Sequence, residues 1–365
     1  MKAPAAPRAL AHAAPPWELL QAGMDLPAFG YELSVARLVA FVRATGLYDF
    51  VHFDREYAQA AGARDIFISA PHASGLCCRL LTDWAGPEVS IRSLTVAIQA
   101  QCCAGDLLTV SGRIARVYRE GPRRVVDVDD ILIGHALAPE AVRASATLLW
   151  PAGAADAGQP ATSATLPARG VIDPLAPAAV RALTGQVREI KLGQGQPVTA
   201  GEVQLWCEAL EDWNPLYWDA DYATRSPHGH LLVPPAGRFL GIGGAAVMGI
   251  GCLKPGARLP EPVRAGRTGH ALKQALREEM IASNTPFTLP GLPEVAVTRM
   301  RTDYLTPLPV DTATRTFAEL TACSAPKSTR LGDGHFVSWT ETTVGTGGVT
   351  YHVRSLTAFF YTARQ

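Results

Sequence analysis

The sequence predicts an α+β protein made of two similar domains, each with a long helix packed on an antiparallel sheet. Three observations lead to this prediction. A segment of small residues interrupts the chain near its middle, motifs on its two sides resemble each other, and strand-like runs follow a helix-like segment on each side. The length of 365 residues is also typical of two domains.

The interruption consists of residues 151–167, which are rich in Pro, Gly and Ala and have no hydrophobic period. Such a composition is typical of a linker between domains. It predicts an N-terminal domain at residues 1–150 and a C-terminal domain at residues 168–365.

A weak internal repeat relates the two domains. The segment LYDFVHFDREYA (47–58) lines up with DWNPLYWDADYA (212–223), and RSLTVAIQAQCCAGD (92–106) resembles RMRTDYLTPLPVD (299–311). The motifs are further apart in the second copy, which predicts an insertion at about residues 252–292. We expect this insertion to lie over the entrance to one of the two sites, because so long an excursion inside a compact domain is rarely a mere linker.

The elements follow the same order in both copies. Helices are expected at 33–46 and 200–213 before the first motif, and near 72–84 and 236–248 after it. Runs of residues with strand-like patterning then predict four strands in each copy. These strands are expected at 89–101, 107–118, 123–133 and 141–149 in the first copy, and at 294–305, 313–323, 335–344 and 349–362 in the second.

Composition and charge argue against several classes of protein. The net charge is zero at pH 7 and no basic face is visible, so nucleic acid is not an expected partner. No run of about eighteen apolar residues is present, so no membrane span is expected. The seven cysteines are odd in number and lack CxxC spacing, which argues against a disulfide framework and a zinc site. This cysteine usage is typical of a reducing compartment and predicts a cytoplasmic protein.

The repeated motif resembles a known signature. DWNPLYWDADYATRSPHG (212–229) is similar to the D-x-N-P-L/I-H-x-D signature of MaoC-like hydratases, and DFVHFDREYAQAAGARDIFISAPHASG (49–75) resembles the same region. These are hot-dog enzymes that act on acyl-CoA or acyl-carrier thioesters. The order of the expected elements resembles the family over nearly the whole chain, whereas the motif residues resemble it over about thirty residues in each copy. It implies tandem (double) hot-dog domains.

The resemblance also implies a reaction. In the family, an Asp and a His five residues later hold a water against the double bond of an enoyl thioester, and an Asn between them fixes the geometry. The chain is therefore expected to be a hydro-lyase of fatty acid metabolism that reversibly hydrates a 2-enoyl-CoA or dehydrates a 3-hydroxyacyl-CoA. The CoA thioester is the substrate, and neither a metal nor another cofactor is expected.

Each copy departs from the signature at a different position. The second copy keeps Asp212 and Asn214 but has Tyr217 in place of the His. The first copy keeps His52, but Leu47 stands in place of the Asp and Asp49 in place of the Asn. Double hot-dog chains of this type usually keep one competent site, so the two halves are alternatives.

The first copy is the favoured site from sequence. His52 supplies an imidazole, the group best suited to proton transfer near neutral pH, and Asp49 lies three residues before it. The helix start at His72, Ala73 and Ser74 is expected to bind the thioester carbonyl through backbone N–H groups.

The second copy offers another set of candidates. Asp212, Asn214 and Tyr217 are its candidate catalytic residues, and His228 and Gly229 its candidate substrate-binding residues. Two other functions stay open: a hot-dog acyl-CoA thioesterase, and a non-catalytic acyl-CoA-binding subunit. A homodimer or a second hot-dog chain is a candidate assembly.

Overall fold

The structure is a computed structural model that describes residues 14–47, 49–60, 62–151, 170–190, 197–239, 289, 291–292 and 294–363. The predicted linker at 151–167, apart from Pro151, lies outside these residues. The predicted insertion at 252–292 also lies outside them, apart from Leu289, Gly291 and Leu292. The proposed domain boundaries therefore stay predictions.

The described strands form one antiparallel sheet in the order β1-β3-β4-β5-β2-β7-β11-β10-β8-β6, with β9 paired to β10. The strands of the first half are β1 (Asp25–Glu32), β2 (Ser90–Ile98), β3 (Leu107–Glu120), β4 (Arg123–His135) and β5 (Ala138–Trp150). Those of the second half are β6 (Val187–Ile190), β7 (Glu294–Tyr304), β8 (Thr314–Cys323), β9 (Lys327–Ser328), β10 (Gly332–Gly345) and β11 (Thr350–Ala363). The eight strands expected from sequence are all present.

The two halves of the sheet join edge to edge. Strand β2 pairs with β7, with Leu94 opposite Thr302, and the strand order on either side of this pair is mirrored. The pairing buries the edges that β2 and β7 would otherwise expose. This arrangement confirms the predicted α+β class with tandem hot-dog units. The sequence missed β1, which contains Pro27 and Gly30, and the four-residue β6.

The three longest described helices begin where their N-terminal amides find side-chain acceptors. Ser34 and Ser69 cap α1 and α3, and Thr199 forms a capping box with Glu202 at α5. The helices are α1 (Val35–Thr45), α2 (Arg55–Ala60), α3 (Ala70–Ala85), α4 (Ala178–Arg181), α5 (Ala200–Leu210), α6 (Pro215–Trp218) and α7 (Ala220–Arg225). Among them, none is long and apolar enough to cross a membrane. Of the helix predicted at 236–248, the described part is a single 3-10 turn, Ala236–Phe239.

Helix α3 of the first half packs closely against α5 of the second half at Gly75. A Cβ atom added at Gly75 would lie 2.4 Å from Leu210 Cδ1 and 3.0 Å from Trp206 Cζ2. Both side chains are buried, so neither has room to move aside. Because Gly75 has no side chain, α5, the helix that precedes Asp212, can pack this closely against α3 of the first half.

We expect Gly75→Ala to lower the free energy of unfolding by about 1–3 kcal/mol, because the added methyl group overpacks this contact. Gly201→Ala is a matched control on α5, since nothing lies within 4 Å of the added Cβ. There the same change should stabilise the protein by about 0.5–1 kcal/mol. Chemical denaturation measures both differences, and a Gly75→Ala variant as stable as wild type would contradict the close packing.

Candidate functional site

A cavity of about 820 Å³ lies between the two halves of the chain. The second-copy motif contributes Asn214, Tyr217 and His228 to its lining. Thr82 of α3 and Tyr304 at the end of β7 complete this part of the wall. The cavity therefore combines the motif and a strand end of the second half with helix α3 of the first.

Asp212 stands two residues before the lining residue Asn214 and does not itself line the cavity. The chain reverses at Glu211, which has a left-handed backbone with φ +55°, and the Asp212 N–H donates to the Cys207 carbonyl at 2.9 Å. The Asp212 Oδ1 accepts the backbone N–H of Asn214 at 3.2 Å. Because Asp212 is 2% exposed, its carboxyl group has little contact with solvent.

The surroundings of Asp212 favour its neutral form. Burial, together with the nearby carboxylate of Asp83, raises the pKa of Asp212 to about 7. The Asn214 N–H and the Arg79 guanidinium act in the opposite direction. A carboxyl group with a pKa near 7 can accept or release a proton at neutral pH, which is typical of catalytic acids and bases.

Helix α3 of the first half fixes the turn before Asp212. The Arg79 Nη1 donates to the Leu210 carbonyl at 2.8 Å and lies 3.4 Å from Glu211 Oε2. Arg79 also pairs with Asp83 at 3.3 Å, and Arg37 of α1 pairs with Glu211. The second-copy motif is therefore held by charged side chains from the first half.

Asn214 and Tyr217 lie on the short helix α6. Asn214 Oδ1 accepts the Leu216 N–H at 3.1 Å and caps the helix, and Pro215 occupies its first position. The Tyr217 N–H donates to the Asn214 carbonyl at 3.1 Å. Both side chains are buried and line the cavity, so the structure brings these two predicted residues together beside Asp212.

His228 and Gly229 follow α7 in a tight turn. The His228 N–H donates to Ser226 Oγ at 3.2 Å, and the Gly229 N–H donates to the Ser226 carbonyl at 3.1 Å. Gly229 has φ +72°, a conformation that favours glycine. Burial and the neighbouring His230 lower the pKa of His228, so its imidazole is neutral at pH 7. His228 therefore presents a neutral imidazole to the cavity.

The first-copy candidates His52 and Asp49 lie elsewhere. His52 ends a 3-10 turn, Phe50–His52, and Asp49 is the residue just before it. The His52 Nδ1 lies 2.8 Å from the Phe67 carbonyl oxygen, so it carries the proton and donates it. Neither His52 nor Asp49 lines the cavity between the halves.

His72 is a core histidine in this fold. It is 1% exposed, its ring stacks on Phe41 at 4.1 Å, and its Nε2 lies 3.3 Å from the Tyr31 hydroxyl. The Tyr31 hydroxyl donates to the Ala209 carbonyl at 2.8 Å, so His72 Nε2 is the donor to Tyr31. Burial lowers the pKa of His72 to about 3, which keeps the ring neutral. Helix α5 of the second half therefore closes off this helix start.

Ala73 and Ser74 do not present the expected donors. The Ala73 N–H donates to the Ser69 carbonyl at 3.1 Å, and the His72 N–H points to Ser69 Oγ at 3.4 Å. Ser74 Oγ donates to the Ala70 carbonyl at 2.9 Å. The role of Ala73 at a thioester stays a prediction, and its N–H is bonded within the helix. In the part of the chain that is described, no group of three or more His, Cys, Asp or Glu side chains could hold a metal ion.

Parts of this chain are similar in sequence to known proteins. Residues 188–263, which include the second-copy motif, match the family model of the FAS1-like, dehydratase domain region. The 3-oxo-4,17-pregnadiene-20-carboxyl-CoA hydratase beta subunit of Mycobacterium tuberculosis is 38% identical over 80 residues, which are 22% of this chain. The match spans 62% of that relative's length.

Solved structures share the fold over nearly the whole chain. A MaoC domain protein dehydratase from Chloroflexus aurantiacus, itself named putative, superposes with a TM-score of 0.64 at 10% identity, covering 98% of this chain and 99% of that chain. A double-hotdog protein of Mycobacterium tuberculosis has a TM-score of 0.58 at 15% identity, covering 95% of this chain and 99% of that one. The fold defines this chain as a double hot-dog protein. Residues 188–263 in addition resemble the FAS1-like dehydratase region, and the chain shares its fold with a MaoC domain protein.

Proposed function

We propose that this chain is a hydro-lyase that adds water to a 2-enoyl-CoA, and removes it from a 3-hydroxyacyl-CoA in reverse. The observation that carries the proposal is the cavity lined by Asn214, Tyr217 and His228, together with the buried Asp212 that accepts the Asn214 N–H. The proposed site is in the second half. This differs from the sequence-based preference for His52, which belongs to the first half.

The proposed mechanism uses two groups whose surroundings shift their pKa values in opposite directions. His228 has a lowered pKa and is the base that takes a proton from water while the water oxygen bonds to the β carbon. Asp212 has a raised pKa and is the acid whose proton goes to the α carbon as the double-bond electrons move there. His228 then releases its proton to solvent and Asp212 takes one up, which restores both groups. The reverse order of steps releases water. Proton transfer alone accounts for this reaction, so the proposal includes no metal or other cofactor.

Tyr217 and Asn214 have positioning roles in this proposal. The Tyr217 hydroxyl is a hydrogen-bond donor for the thioester carbonyl, whose oxygen becomes more negative as the water adds. Asn214 holds the carboxyl of Asp212 through its backbone N–H. His228 would then supply the imidazole that the second-copy motif lacks at position 217.

Arginine side chains at the cavity support CoA as the carrier of the acyl group. Arg92, Arg123, Arg124 and Arg225 all contribute to the lining. Arg92 Nη1 pairs with Glu120 at 2.6 Å, which anchors its guanidinium near the cavity. Guanidinium groups bind phosphate oxygens in a bidentate manner, and CoA carries three phosphate groups.

We expect Arg92→Gln and Arg124→Gln each to raise KM for an enoyl-CoA about three- to tenfold, because each removes a charge-assisted contact to phosphate. The same acyl group on pantetheine, which lacks the phosphates, is the control substrate. Its KM should be the same for each variant as for wild type. Steady-state kinetics at low salt measures both values. Equal effects on both substrates would contradict a phosphate-binding role.

The test of the proposed function is turnover by the full chain. Incubation with enoyl-CoAs of several chain lengths, followed by mass detection, should show the gain of one water. Release of free CoA instead would favour a thioesterase. Binding of acyl-CoA without any product would favour a non-catalytic subunit, and the beta-subunit name of the mycobacterial relative supports a partner chain in that case.

A further inference from the structure

Four charged side chains lie around the turn that leads into Asp212. Arg37 of α1 pairs with Glu211. The Arg79 Nη1 lies 3.4 Å from Glu211 Oε2, and the Arg79 Nε lies 3.3 Å from Asp83 Oδ2. The two cations and two carboxylates balance, so these side chains are neutral as a group. An ionised Asp212 beside them would add an unmatched negative charge.

The ion pairs of this group do not include Asp212. Among the residues that the structure describes, the Arg79 guanidinium is paired with Asp83 and Glu211 instead. The Asp212 carboxyl accepts a hydrogen bond from the Asn214 N–H, a neutral donor. Because Asp212 is buried, its unmatched charge would be poorly solvated, and the carboxyl group therefore keeps its proton more readily.

Two thiols also lie near Asp212, those of Cys78 on α3 and Cys207 on α5. Burial, together with nearby acidic groups, raises the pKa of both thiols far above neutral pH. Both thiols therefore stay uncharged where Asp212 titrates. The charge balance around Asp212 thus depends on the carboxylates and arginines of the group.

The stability of helix α3 does not account for a carboxylate at Asp83. Asp83 lies in the last turn of this helix, where the helix dipole favours cations. Arg79 precedes it by four residues, which is the less favourable order for an ion pair along a helix. Asp83 is nevertheless mostly buried, with its side chain 19% exposed. The ion pair with Arg79, next to the turn before Asp212, gives this carboxylate a different role.

We propose that Asp83 is a positioning residue that keeps Asp212 protonated by occupying the guanidinium of Arg79. Without the Asp83 carboxylate, the charge of Arg79 becomes available to an ionised Asp212 and stabilises it. The acid of the second-half motif therefore depends on a residue of the first half. The inference rests on the proposed function in making protonated Asp212 the proton donor of the reaction.

The experiment is a carbon-13 NMR titration of the full chain labelled at its aspartate carboxyl groups, without substrate. The Asp212 signal is the one missing from the spectrum of Asp212→Asn. In Asp83→Asn, the midpoint of the Asp212 titration should fall by at least about one pH unit. Glu211→Gln also releases charge from Arg79 and should lower the midpoint too. Asp83→Asn should still fold, because it removes a charge that the helix dipole disfavours.

Two control variants make the shift specific. Asp83→Glu keeps the negative charge and should keep the wild-type midpoint of Asp212. Asp221→Asn removes an exposed carboxylate from α7 and should keep it as well. An unchanged midpoint in Asp83→Asn, or in Glu211→Gln if the first variant does not fold, overturns the inference. A shift of equal size in Asp221→Asn also overturns it.

Turnover provides the second measurement. Because the proposed reaction needs the proton of Asp212, kcat should fall as the pH rises through the pKa of this group. Asp83→Asn should move this fall to lower pH by the amount seen in the NMR titration. The limb of the profile at low pH, which His228 sets in the proposed mechanism, should stay in place. A shifted NMR midpoint in a chain that hydrates no enoyl-CoA would support the role of Asp83 and refute only the proposed function.

Discussion

Asp212→Asn is expected to lower kcat for hydration by about 10²–10⁴-fold, the usual contribution of general acid–base assistance. Asn keeps an oxygen that can accept the Asn214 N–H, so the turn after α5 should persist. What the variant loses is the proton that Asp212 can exchange near pH 7. Steady-state turnover on the preferred enoyl-CoA measures the loss, with KM expected to change little.

Two further variants make this result specific. Asp221→Asn removes the same charge from the exposed side of α7 and should keep wild-type turnover. His52→Ala tests the first-copy alternative, and its turnover should stay near wild type because the His52 imidazole donates to the Phe67 carbonyl in the first half. Loss of turnover in His52→Ala together with full activity in Asp212→Asn would move the working site to the first half.

Asp212→Asn is also expected to stabilise the protein at high pH. The folded pKa of Asp212 is about 7, above the value of about 4 for an unfolded aspartate, so the folded state binds this proton more tightly. The free energy of unfolding of wild type should therefore fall as the pH rises from about 4 to about 7, and level off above that. The variant does not undergo this loss, so its advantage at pH 8 should be on the order of a few kcal/mol.

Urea denaturation of wild type and variant at pH 5 and pH 8 measures this difference. The two proteins should be similar at pH 5, where Asp212 is protonated, and should diverge at pH 8. Asp221→Asn again controls for the change in net charge, and its effect should be small because the side chain is exposed. A variant that is less stable than wild type at pH 8 would show that the ionised carboxylate is stabilised in the fold. A gain in stability with a loss of turnover is typical of a residue kept for function.

Much of the fold could be predicted because its signals are local. The strand-like runs at 107–118 and 349–362 identified strands β3 and β11, and the repeat of the motifs around His52 and Asp212 indicated two equivalent units. Strand β6 was missed because four residues are too few to show a period, and its pairing with β8 comes from a distant part of the chain.

The site was predicted only in part. The motif identified Asp212, Asn214 and Tyr217, but the presence of an imidazole favoured His52. Sequence contained no sign that α5 would cover the helix start at His72, because that contact joins residues from different halves. The arginines of the cavity were also missed, since they lie on separate elements and meet only in the fold.

The sequence by itself determined the class of fold, the repeat and the resemblance to MaoC-like hydratases, because periodicity and a contiguous motif can be recognised without the three-dimensional structure. Only the tertiary structure decided that a cavity lies between the two halves and that α3 brings Asp83 and Arg79 near Asp212. These properties depend on distances between residues far apart in the chain. Burial and charge proximity, which set the pKa of Asp212, exist only once the two halves have packed together.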